Sequence, residues 1–340
     1  MPVRIALVGC GMRGMGLAGM LQASPKFDVA VVCDIDAARA KAAAEKLGAD
    51  GVQSHAEALA RDDVQALVVA TDARWHAPVV FDALAAKRHV YVEKPLADSP
   101  QTAARLADAQ EAAGVVGVVG YQFRATPMAD ILERELPAIQ PVQGLLTVQR
   151  GPMNPQYFFP DHYGGIADTA THTIHAALWT MGGRPTSVSA SLQRGSILGD
   201  RTIEFMSLLI EFDGGKRVCT VTGSMFGVRT TNIWEFVGAR GVAHTTNHRV
   251  LHLTTHAGIH TAGNKAPEGL ETRDIDCPAE GDSTRILLER FADLVSGTAD
   301  RKHPKAASFR EGAEAVAVTA AMVRSAEEGR RVNLAEVMQD

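Results

Sequence analysis

Apolar residues in the first third of the chain form short continuous runs, and segments of helical periodicity separate these runs. Continuous Val, Ile and Leu runs that alternate with helices are typical of a parallel sheet covered on both faces. One helix is predicted to begin at the N-cap Ser99 with Pro100 in its first turn, and another to end at Gly48. We therefore predict an α/β domain over residues 1–121. Its strands are VRIALVG, VAVVCD, ALVVAT, HVYVEKP and VVGVVGYQ.

The pattern changes after residue 121, where strands follow one another without helices between them. Such a succession predicts a mostly antiparallel sheet, and the glycines at 214 and 215 predict a hairpin turn. Helices are expected near 125–136, 166–182, 283–296 and 308–328. We therefore predict an α+β domain over residues 122–340, with the C-terminal helix packing back on the first domain. Its strands are VQGLLTVQR, TSVSASLQR, MSLLIEFDGG, KRVCTVTGSM, NIWEFVGARG, VAHTT and RVLHLTT.

Composition narrows the class of protein. The chain has 340 residues, is 46% hydrophobic and 21% charged, and has a net charge of −5. The absence of a run of like charges argues against a nucleic-acid partner or an anionic membrane surface. No apolar run reaches the roughly 18 residues of a membrane span, and the N-terminus lacks a signal-peptide pattern. The cysteines show no CxxC spacing, so we expect reduced thiols in a cytoplasmic protein. They are Cys10, Cys33, Cys219 and Cys277.

The motif VGCGMRG follows the first strand and opens a helix. In that context Gly9 permits a tight turn, Gly11 lets the backbone approach a pyrophosphate, and Gly14 lets the helix pack against the strand. The helix N-terminus then faces the phosphates. Asp34 ends the second strand, where a carboxylate binds ribose hydroxyls and repels a 2′-phosphate. The motif therefore predicts a dinucleotide site that favours NAD over NADP, and the alternative is the same fold with an empty glycine turn.

Other residues of this region are expected to lie beside the dinucleotide. Arg39 follows Asp34 closely, and its positive charge would weaken the preference for NAD. Arg13 is a candidate for contact with a phosphate. The remaining cofactor-side candidates in the glycine loop are Cys10 and Met12.

The strand VYVEKPL places Glu93, Lys94 and Pro95 at its carboxyl end. Ligands of open α/β sheets bind at that edge. Lys94 there can hydrogen-bond a substrate oxygen, stabilise a developing alkoxide or shuttle a proton. The alternative is an ordinary surface lysine after a strand.

The segment IADTATHTIHAALWTMG contains Asp168, His172 and His175 at spacings of four and three residues. On a helix this spacing places all three on one face. A carboxylate and two imidazoles suit a metal site, a proton-transfer site or a satisfied polar patch in a core. The surrounding sequence offers no companion ligands, so we do not expect a metal.

Taken together, the glycine loop, ATDARWH, EKP, GYQFRATP, EFVGARG and the Asp-x-x-x-His helix resemble the Gfo/Idh/MocA oxidoreductases. The resemblance implies a Rossmann domain that binds NAD(P) and a second domain with an open-faced sheet. It also implies that Lys94, Asp168 and His172 handle the proton while a hydride moves to or from the nicotinamide. His175 departs from the family, in which an Asp is common at this place.

The same resemblance suggests further positions. It assigns Thr71, His76 and Glu93 to the cofactor side. Arg124 follows the last strand of the first domain and is a substrate or cofactor candidate. The aromatic loop before the Asp-x-x-x-His helix would form a wall that binds sugar hydroxyls, with Tyr157, His162 and Tyr163 as candidates.

A second pattern places histidines at every fourth residue. The segment HTTNHRVLHLTTHAGIH is rich in Thr, Val and Leu, which predicts strand and turn and not a helical ladder. An exposed sheet face or a subunit interface is the interpretation favoured, and a substrate or metal role is the alternative. The residues are His244, His248, His252, His256 and His260.

These observations favour an NAD-dependent oxidoreductase that acts on a small carbohydrate-like molecule. One alternative is a glycoside hydrolase or lyase that keeps NAD bound and oxidises its substrate transiently. The other is a non-catalytic, NAD-responsive regulatory protein. An open-faced sheet needs covering, so we expect a homodimer or homotetramer.

Overall fold

The computed structural model describes residues 1–151, 166–195, 203–256, 269–279, 281–301 and 305–339, and for 166–170 it describes the backbone only. The chain divides into two compact units, and each is described by itself. The first comprises Met1–Ala125 and Gly281–Val316, and the second comprises Thr126–Glu280 and Ala317–Asp340. The first unit thus extends past residue 121 and includes a segment from near the end of the chain.

The elements are numbered in chain order. The strands are β1 (Val3–Val8), β2 (Phe27–Cys33), β3 (Asp50–Val52), β4 (Ala66–Val69), β5 (His89–Val92), β6 (Gly117–Val119), β7 (Pro141–Gln149), β8 (Pro185–Arg194), β9 (Ile203–Phe212), β10 (Arg217–Ser224), β11 (Thr231–Gly238), β12 (Gly241–Thr246), β13 (Val250–Thr255), β14 (Glu271–Asp276) and β15 (Val332–Asn333). The helices are α1 (Met12–Ala23), α2 (Ala37–Leu47), α3 (His55–Leu59), α4 (His76–Ala85), α5 (Pro100–Ala113), α6 (Pro127–Ile139), α7 (Ile166–Met181), α8 (Ser283–Ser296), α9 (Phe309–Glu328) and α10 (Leu334–Val337).

The first unit is built on a parallel sheet, as predicted. Within the described residues its strand order is β3-β2-β1-β4-β5-β6. The chain moves outward from β1 to β3 and then returns to place β4 on the other side of β1. The carboxyl ends of β1 and β4 therefore border a crevice where the strand order reverses, which is the usual ligand site of an open α/β sheet.

Local sequence explains the helices beside this sheet. The hydroxyl of Ser99 accepts a hydrogen bond from the Thr102 amide, and Pro100 occupies the first turn of α5. Gly48 ends α2 in the left-handed conformation, which glycine adopts at low cost. Both predicted helix boundaries are confirmed.

A late segment of the chain completes the core of the first unit. Helix α8 packs against α1, β1 and β5. The ring of Phe291 on α8 meets Tyr91 on β5 edge to face, with centroids 6.1 Å apart. Both rings are fully buried, so α8 covers the sheet close to the end of β5.

The second unit is built on a mixed, mostly antiparallel sheet, as predicted. Across the described residues its strand order is β14-β13-β12-β11-β7-β10-β9-β8-β15. Strands β7 and β10 are parallel, and the other neighbouring pairs are antiparallel. The predicted hairpin joins β9 to β10, with Gly214 and Gly215 at φ 72° and 89°.

Helix α7 covers part of one face of this sheet by packing against β7, β9 and β10. Within the described residues, the opposite face is accessible at β12, along which buried and exposed residues alternate. Leu145, Ile233 and Val242 are about two-fifths exposed there, at 39%, 39% and 41%. Among the described residues, no helix combines the length and the apolar character needed to cross a membrane.

Candidate active site

The glycine loop packs its backbone tightly between β1 and β4. A Cβ on Gly9, whose φ is +96°, would lie 2.7 Å from the carbonyl oxygen of Ala70. A Cβ on Gly14 would lie 1.8 Å from the carbonyl oxygen of Gly9. A Cβ on Gly11 would meet nothing within 4 Å. Gly9 and Gly14 thus bring α1 close to the sheet, and Gly11 leaves its backbone open to a ligand.

Asp34 holds the glycine loop from the end of β2. Its side chain is buried, and one carboxylate oxygen accepts a 2.8 Å hydrogen bond from the Cys10 amide. The other oxygen accepts a 2.9 Å bond from the Asp36 amide. The Arg39 Nε lies 3.7 Å from Asp34 and 3.3 Å from the Asp36 carboxylate. Burial raises the pKa of Cys10 to about 11, and the neighbouring Asp34 carboxylate adds to this effect.

The turn after β4 carries Thr71 and His76. The Thr71 hydroxyl oxygen is buried and, within the described part of the chain, has no hydrogen-bond partner. The His76 ring is buried and lies between two backbone carbonyls, those of Thr71 and Pro95. A buried hydroxyl without a partner is costly, so it indicates a place for a ligand at this turn.

The segment after β5 carries Lys94, which is half-buried and precedes a cis peptide bond to Pro95. The adjacent Glu93 is buried, and its carboxylate accepts a 2.7 Å bond from the Arg13 guanidinium and a 3.3 Å bond from the Tyr91 hydroxyl. Burial raises the pKa of Tyr91, and the Glu93 carboxylate raises it further. Because β4 lies between β1 and β5, the Arg13–Glu93 pair bridges the glycine loop and the Lys94 segment.

Two other candidates of the first unit lie at the same carboxyl edge. Met12 begins α1, and its side chain is 63% exposed. Arg124 lies in a short 3-10 turn, Gln122–Ala125, that follows β6. The Arg124 carbonyl accepts a 2.9 Å hydrogen bond from Arg290 on α8. This bond ties the turn to the core of the unit.

The second unit contributes the helix with the Asp-x-x-x-His spacing, and the helix is confirmed as α7. His172 and His175 are buried, at 5% and 0% exposed. The side chain of Asp168 lies outside the described residues. The loop candidates Tyr157, His162 and Tyr163 also lie outside them.

The structure therefore brings one set of candidates together, at the carboxyl edge of the first unit. This set joins the glycine loop, Asp34, the Thr71 turn and the Lys94 segment through direct contacts. Sequence reasoning did not identify Tyr91 or the Pro95 carbonyl as parts of it. Tyr91 is an apolar strand residue by its pattern, and a backbone carbonyl carries no sequence signal.

The histidine pattern is resolved into strand and turn, as predicted. His244 on β12 and His252 on β13 are cross-strand partners whose rings stack with centroids 4.5 Å apart. His252 also pairs with Asp274 at 2.7 Å. His248 is buried against Trp234, and His260 lies outside the described residues. Among the residues that the structure describes, no group of three or more His, Cys, Asp or Glu side chains is arranged to hold a metal.

A dinucleotide fits the first unit on two independent observations. The space beside Gly11 is open at the N-terminus of α1, where anionic phosphates are favoured. The buried Thr71 hydroxyl, which lacks a partner in the described part of the chain, lies in the turn that contacts Gly9. The donors and the open backbone therefore suit a nicotinamide dinucleotide.

Comparisons with known proteins match both units. A model of the oxidoreductase family with an NAD-binding Rossmann fold matches residues 3–121, and a model of the GFO/IDH/MocA C-terminal domain matches residues 133–244. Inositol 2-dehydrogenase 3 of Saccharopolyspora erythraea is 31% identical over 190 residues, which cover 53% of this chain and 54% of that protein. Glycosyl hydrolase family 109 protein 2 of a Shewanella species is 33% identical over 119 residues, which cover 32% and 26%. The chain thus matches about half, or less, of the length of these curated relatives.

A solved structure extends the likeness to both units. GenD2 from gentamicin A biosynthesis, in complex with NAD, superposes with a TM-score of 0.77 and 25% sequence identity. The superposition covers 98% of this chain and 96% of that one.

Proposed function

The chain belongs to the Gfo/Idh/MocA oxidoreductase family, and from that premise we propose that it is an NAD-dependent oxidoreductase. It transfers a hydride between the nicotinamide and a carbinol or ketone carbon of a sugar, polyol or related carbohydrate derivative. The observation that carries this proposal is the carboxyl edge of the first unit, where the glycine loop, Asp34 and Lys94 share one network of contacts. The names of the relatives support the substrate class, since they include an inositol dehydrogenase and a protein of gentamicin A biosynthesis.

The preference for NAD over NADP rests on the fixed carboxylate of Asp34. Each of its oxygens accepts one backbone N–H, and each keeps a lone pair for a ribose hydroxyl. A 2′-phosphate would face the same carboxylate and be repelled. Arg39 moderates the repulsion, because its guanidinium lies beside both Asp34 and Asp36.

Calorimetric titration tests this preference. We expect the wild-type protein to bind NAD⁺ at least about tenfold more tightly than NADP⁺, a difference of about 1.4 kcal/mol. Asp34→Asn should reduce the difference in affinity between NAD⁺ and NADP⁺, since the substitution removes the negative charge and keeps the shape of the side chain. If the wild-type protein bound NAD⁺ and NADP⁺ equally tightly, the predicted preference for NAD would be wrong, and the oxidoreductase proposal would still stand.

The proton is handled by Lys94, with His172 and Asp168 as the other candidates. Oxidation of a carbinol releases a proton together with the hydride, so a base must lie close to the hydroxyl oxygen. When bound, the nicotinamide supplies the hydride chemistry. The Lys94 amine would bind and orient the substrate oxygen, and the imidazole of His172 is a side chain that can accept or donate such a proton. Arg124 and His175, with Tyr157 and Tyr163, are the proposed contacts to the rest of the substrate.

The experiment is turnover of NAD⁺ by matched variants. We expect Lys94→Ala and His172→Asn to lower kcat by about 10²- to 10⁴-fold, the usual contribution of a proton-transfer group. Lys41→Ala is the control, since the Lys41 side chain is 79% exposed on α2 and pairs with Glu45 on the same helix. Wild-type rates in Lys94→Ala would contradict the assigned role.

A second candidate function is glycoside cleavage with retained NAD. The observation that favours it is the likeness to a glycosyl hydrolase family 109 protein. The same residues would serve, because oxidation of a sugar carbon acidifies its neighbouring C–H. The two functions differ in whether the cofactor leaves. Release of a glycoside's leaving group by protein that carries bound NAD, with none added, would favour the hydrolase.

We further propose that the accessible face of the second sheet packs on another copy of the chain. Leu145, Ile233 and Val242 expose apolar area on β7, β11 and β12, and an exposed apolar sheet face favours association. Light scattering should therefore report a dimer or tetramer. A strict monomer would remove this part of the proposal.

A further inference from the structure

His76 occupies an unusual place between two segments of the candidate site. Its ring is 1% exposed. The Nδ1 atom lies 2.8 Å from the Pro95 carbonyl oxygen, and the Nε2 atom lies 3.1 Å from the Thr71 carbonyl oxygen. Both neighbours are backbone carbonyls, which accept hydrogen bonds and cannot donate them.

This arrangement cannot be satisfied in full by a neutral ring. A neutral imidazole has one N–H donor and one nitrogen lone pair, so one carbonyl receives a hydrogen bond and the other faces a lone pair. A doubly protonated ring donates to both carbonyls. The shorter distance to Pro95 indicates that the neutral ring carries its proton on Nδ1, which leaves the Thr71 carbonyl without that bond.

The two carbonyls belong to the two segments that the proposed reaction depends on. Pro95 directly follows Lys94. Thr71 lies in the turn against which Gly9 packs, with only 2.8 Å between the Thr71 amide nitrogen and a Cβ built on Gly9. One buried ring therefore links the backbone beside the glycine loop to the backbone beside the lysine.

The surroundings of the ring shift the pKa of His76 in opposite directions. Burial lowers the pKa of His76, and the two carbonyl bonds together with the carboxylates of Glu93 and Asp72 act in the opposite direction. The lowered pKa makes the neutral ring the prevailing form near neutral pH. The doubly protonated ring, which donates a hydrogen bond to each carbonyl, is then formed on acidification.

We propose that His76 is a positioning residue: its neutral ring fixes the Pro95 carbonyl beside Lys94, and a second proton also fixes the Thr71 carbonyl in the turn after β4. The effect on Lys94 rests on the proposed function, whereas the bonding of the ring does not. His76 thus acts through the backbone on either side of it. This differs from direct contact with the dinucleotide, which the family resemblance alone suggested for this residue.

Nitrogen NMR on the cofactor-free, ¹⁵N-labelled protein tests the bonding. Comparison with His76→Asn assigns the ring signals. We expect the neutral ring to be protonated on Nδ1. On acidification Nε2 gains a proton, and the amide signal of Asp72, whose peptide contains the Thr71 carbonyl, moves with the same midpoint. The Leu96 amide, which follows the Pro95 carbonyl, should move far less. The proposal would be overturned if the neutral ring were protonated on Nε2, or if the amide signal of Asp72 did not shift during the titration.

Kinetics of matched variants test the consequence for Lys94. His76→Asn should lower kcat by about 10- to 100-fold, the usual cost of misplacing a catalytic group through its support. The dissociation constant for NAD⁺ should stay within about twofold of the wild-type value, because the proposal gives the ring bonds to two backbone carbonyls and no contact with the dinucleotide. His55→Asn is the control, since His55 pairs with Asp82 in the same unit at 2.8 Å.

The outcomes separate the two proposals. A tenfold weaker affinity for NAD⁺ in His76→Asn with kcat unchanged would identify a direct cofactor ligand and overturn the positioning role. A wild-type protein that turns over no substrate would refute the proposed function. In that case the NMR titration still decides how His76 bonds its two carbonyls.

Discussion

The contact between Gly14 and Gly9 allows a sharp test of the glycine loop. Alanine at position 14 places a Cβ 1.8 Å from the Gly9 carbonyl oxygen, whereas ordinary contacts begin at 3.4 Å. The obstacle is backbone and cannot rotate away. Helix α1 would have to move by about 1.6 Å, the difference between these two distances, or the glycine turn would have to open.

The size of the effect follows from two opposing contributions. Alanine inside a helix is favoured over glycine by about 1 kcal/mol. Overpacking of a rigid site costs about 1–3 kcal/mol and occasionally more. Because the collision involves backbone atoms, we expect an overpacking cost of about 3–4 kcal/mol, at or above the upper end of that range, and hence a net loss of about 2–3 kcal/mol for Gly14→Ala. A loss of this size lowers Tm by about 5–10 °C in a unit of this length.

Gly19→Ala is the matched control on the same helix. A Cβ on Gly19 would meet nothing within 4 Å, and the residue is exposed. This variant should gain up to about 1 kcal/mol, the difference in helix propensity. Thermal unfolding measures both variants, and calorimetry measures NAD⁺ binding. The binding should weaken at least about tenfold in Gly14→Ala alone, since the amides of the α1 N-terminus would move.

The reasoning would be refuted if Gly14→Ala matched Gly19→Ala in Tm and in affinity for NAD⁺. That result would mean that α1 tolerates the shift freely. The glycine at position 14 would then carry no packing role.

Two further predictions concern titratable groups. The Arg330 side chain, with the amide and side chain of Asn333, holds the pKa of Glu336 at about 2, below its ordinary 4.5. The ionised carboxylate therefore stabilises the fold above pH 4.5, and this stabilisation is lost as the pH falls toward 2. The Tm of Glu336→Gln should decline less steeply than that of the wild-type protein between pH 4.5 and 2, and equal slopes would contradict the assignment. Burial raises the pKa of Cys10 to about 11 and of Cys33 to about 12. Both thiols should therefore react far more slowly with iodoacetamide at pH 8 than they do in urea, as peptide mass mapping would show, and equal rates would refute the burial argument.

The fold was predictable wherever one local signal dominated. Continuous apolar runs marked the central strands of the first sheet, and the paired glycines marked the hairpin between β9 and β10. Strand β3 was missed because its three residues, Asp50–Val52, are largely exposed and include one apolar side chain. Strand β14 was missed for the same reason, since ETRDID has no apolar face. Edge strands of this kind form by pairing with a neighbour, which no local pattern records.

The candidate site was predictable at the level of motifs and not at the level of contacts. The glycine loop and Lys94 were found because each motif has a fixed place relative to a strand. The Arg13–Glu93 pair joins residues 80 positions apart, and neither motif alone implies it. The bonds of His76 go to carbonyls, so only the folded chain reveals that its ring lies between two acceptors.

The most direct test of the account is the absorbance of reduced nicotinamide while the wild-type protein is incubated with NAD⁺ and a panel of sugars and polyols. The account predicts a rise with one group of substrates, a smaller rise or none with NADP⁺, and loss of the signal in Lys94→Ala. A flat trace with every compound, from protein that binds NAD⁺ but neither reduces it nor cleaves glycosides, would contradict the assignment as an oxidoreductase.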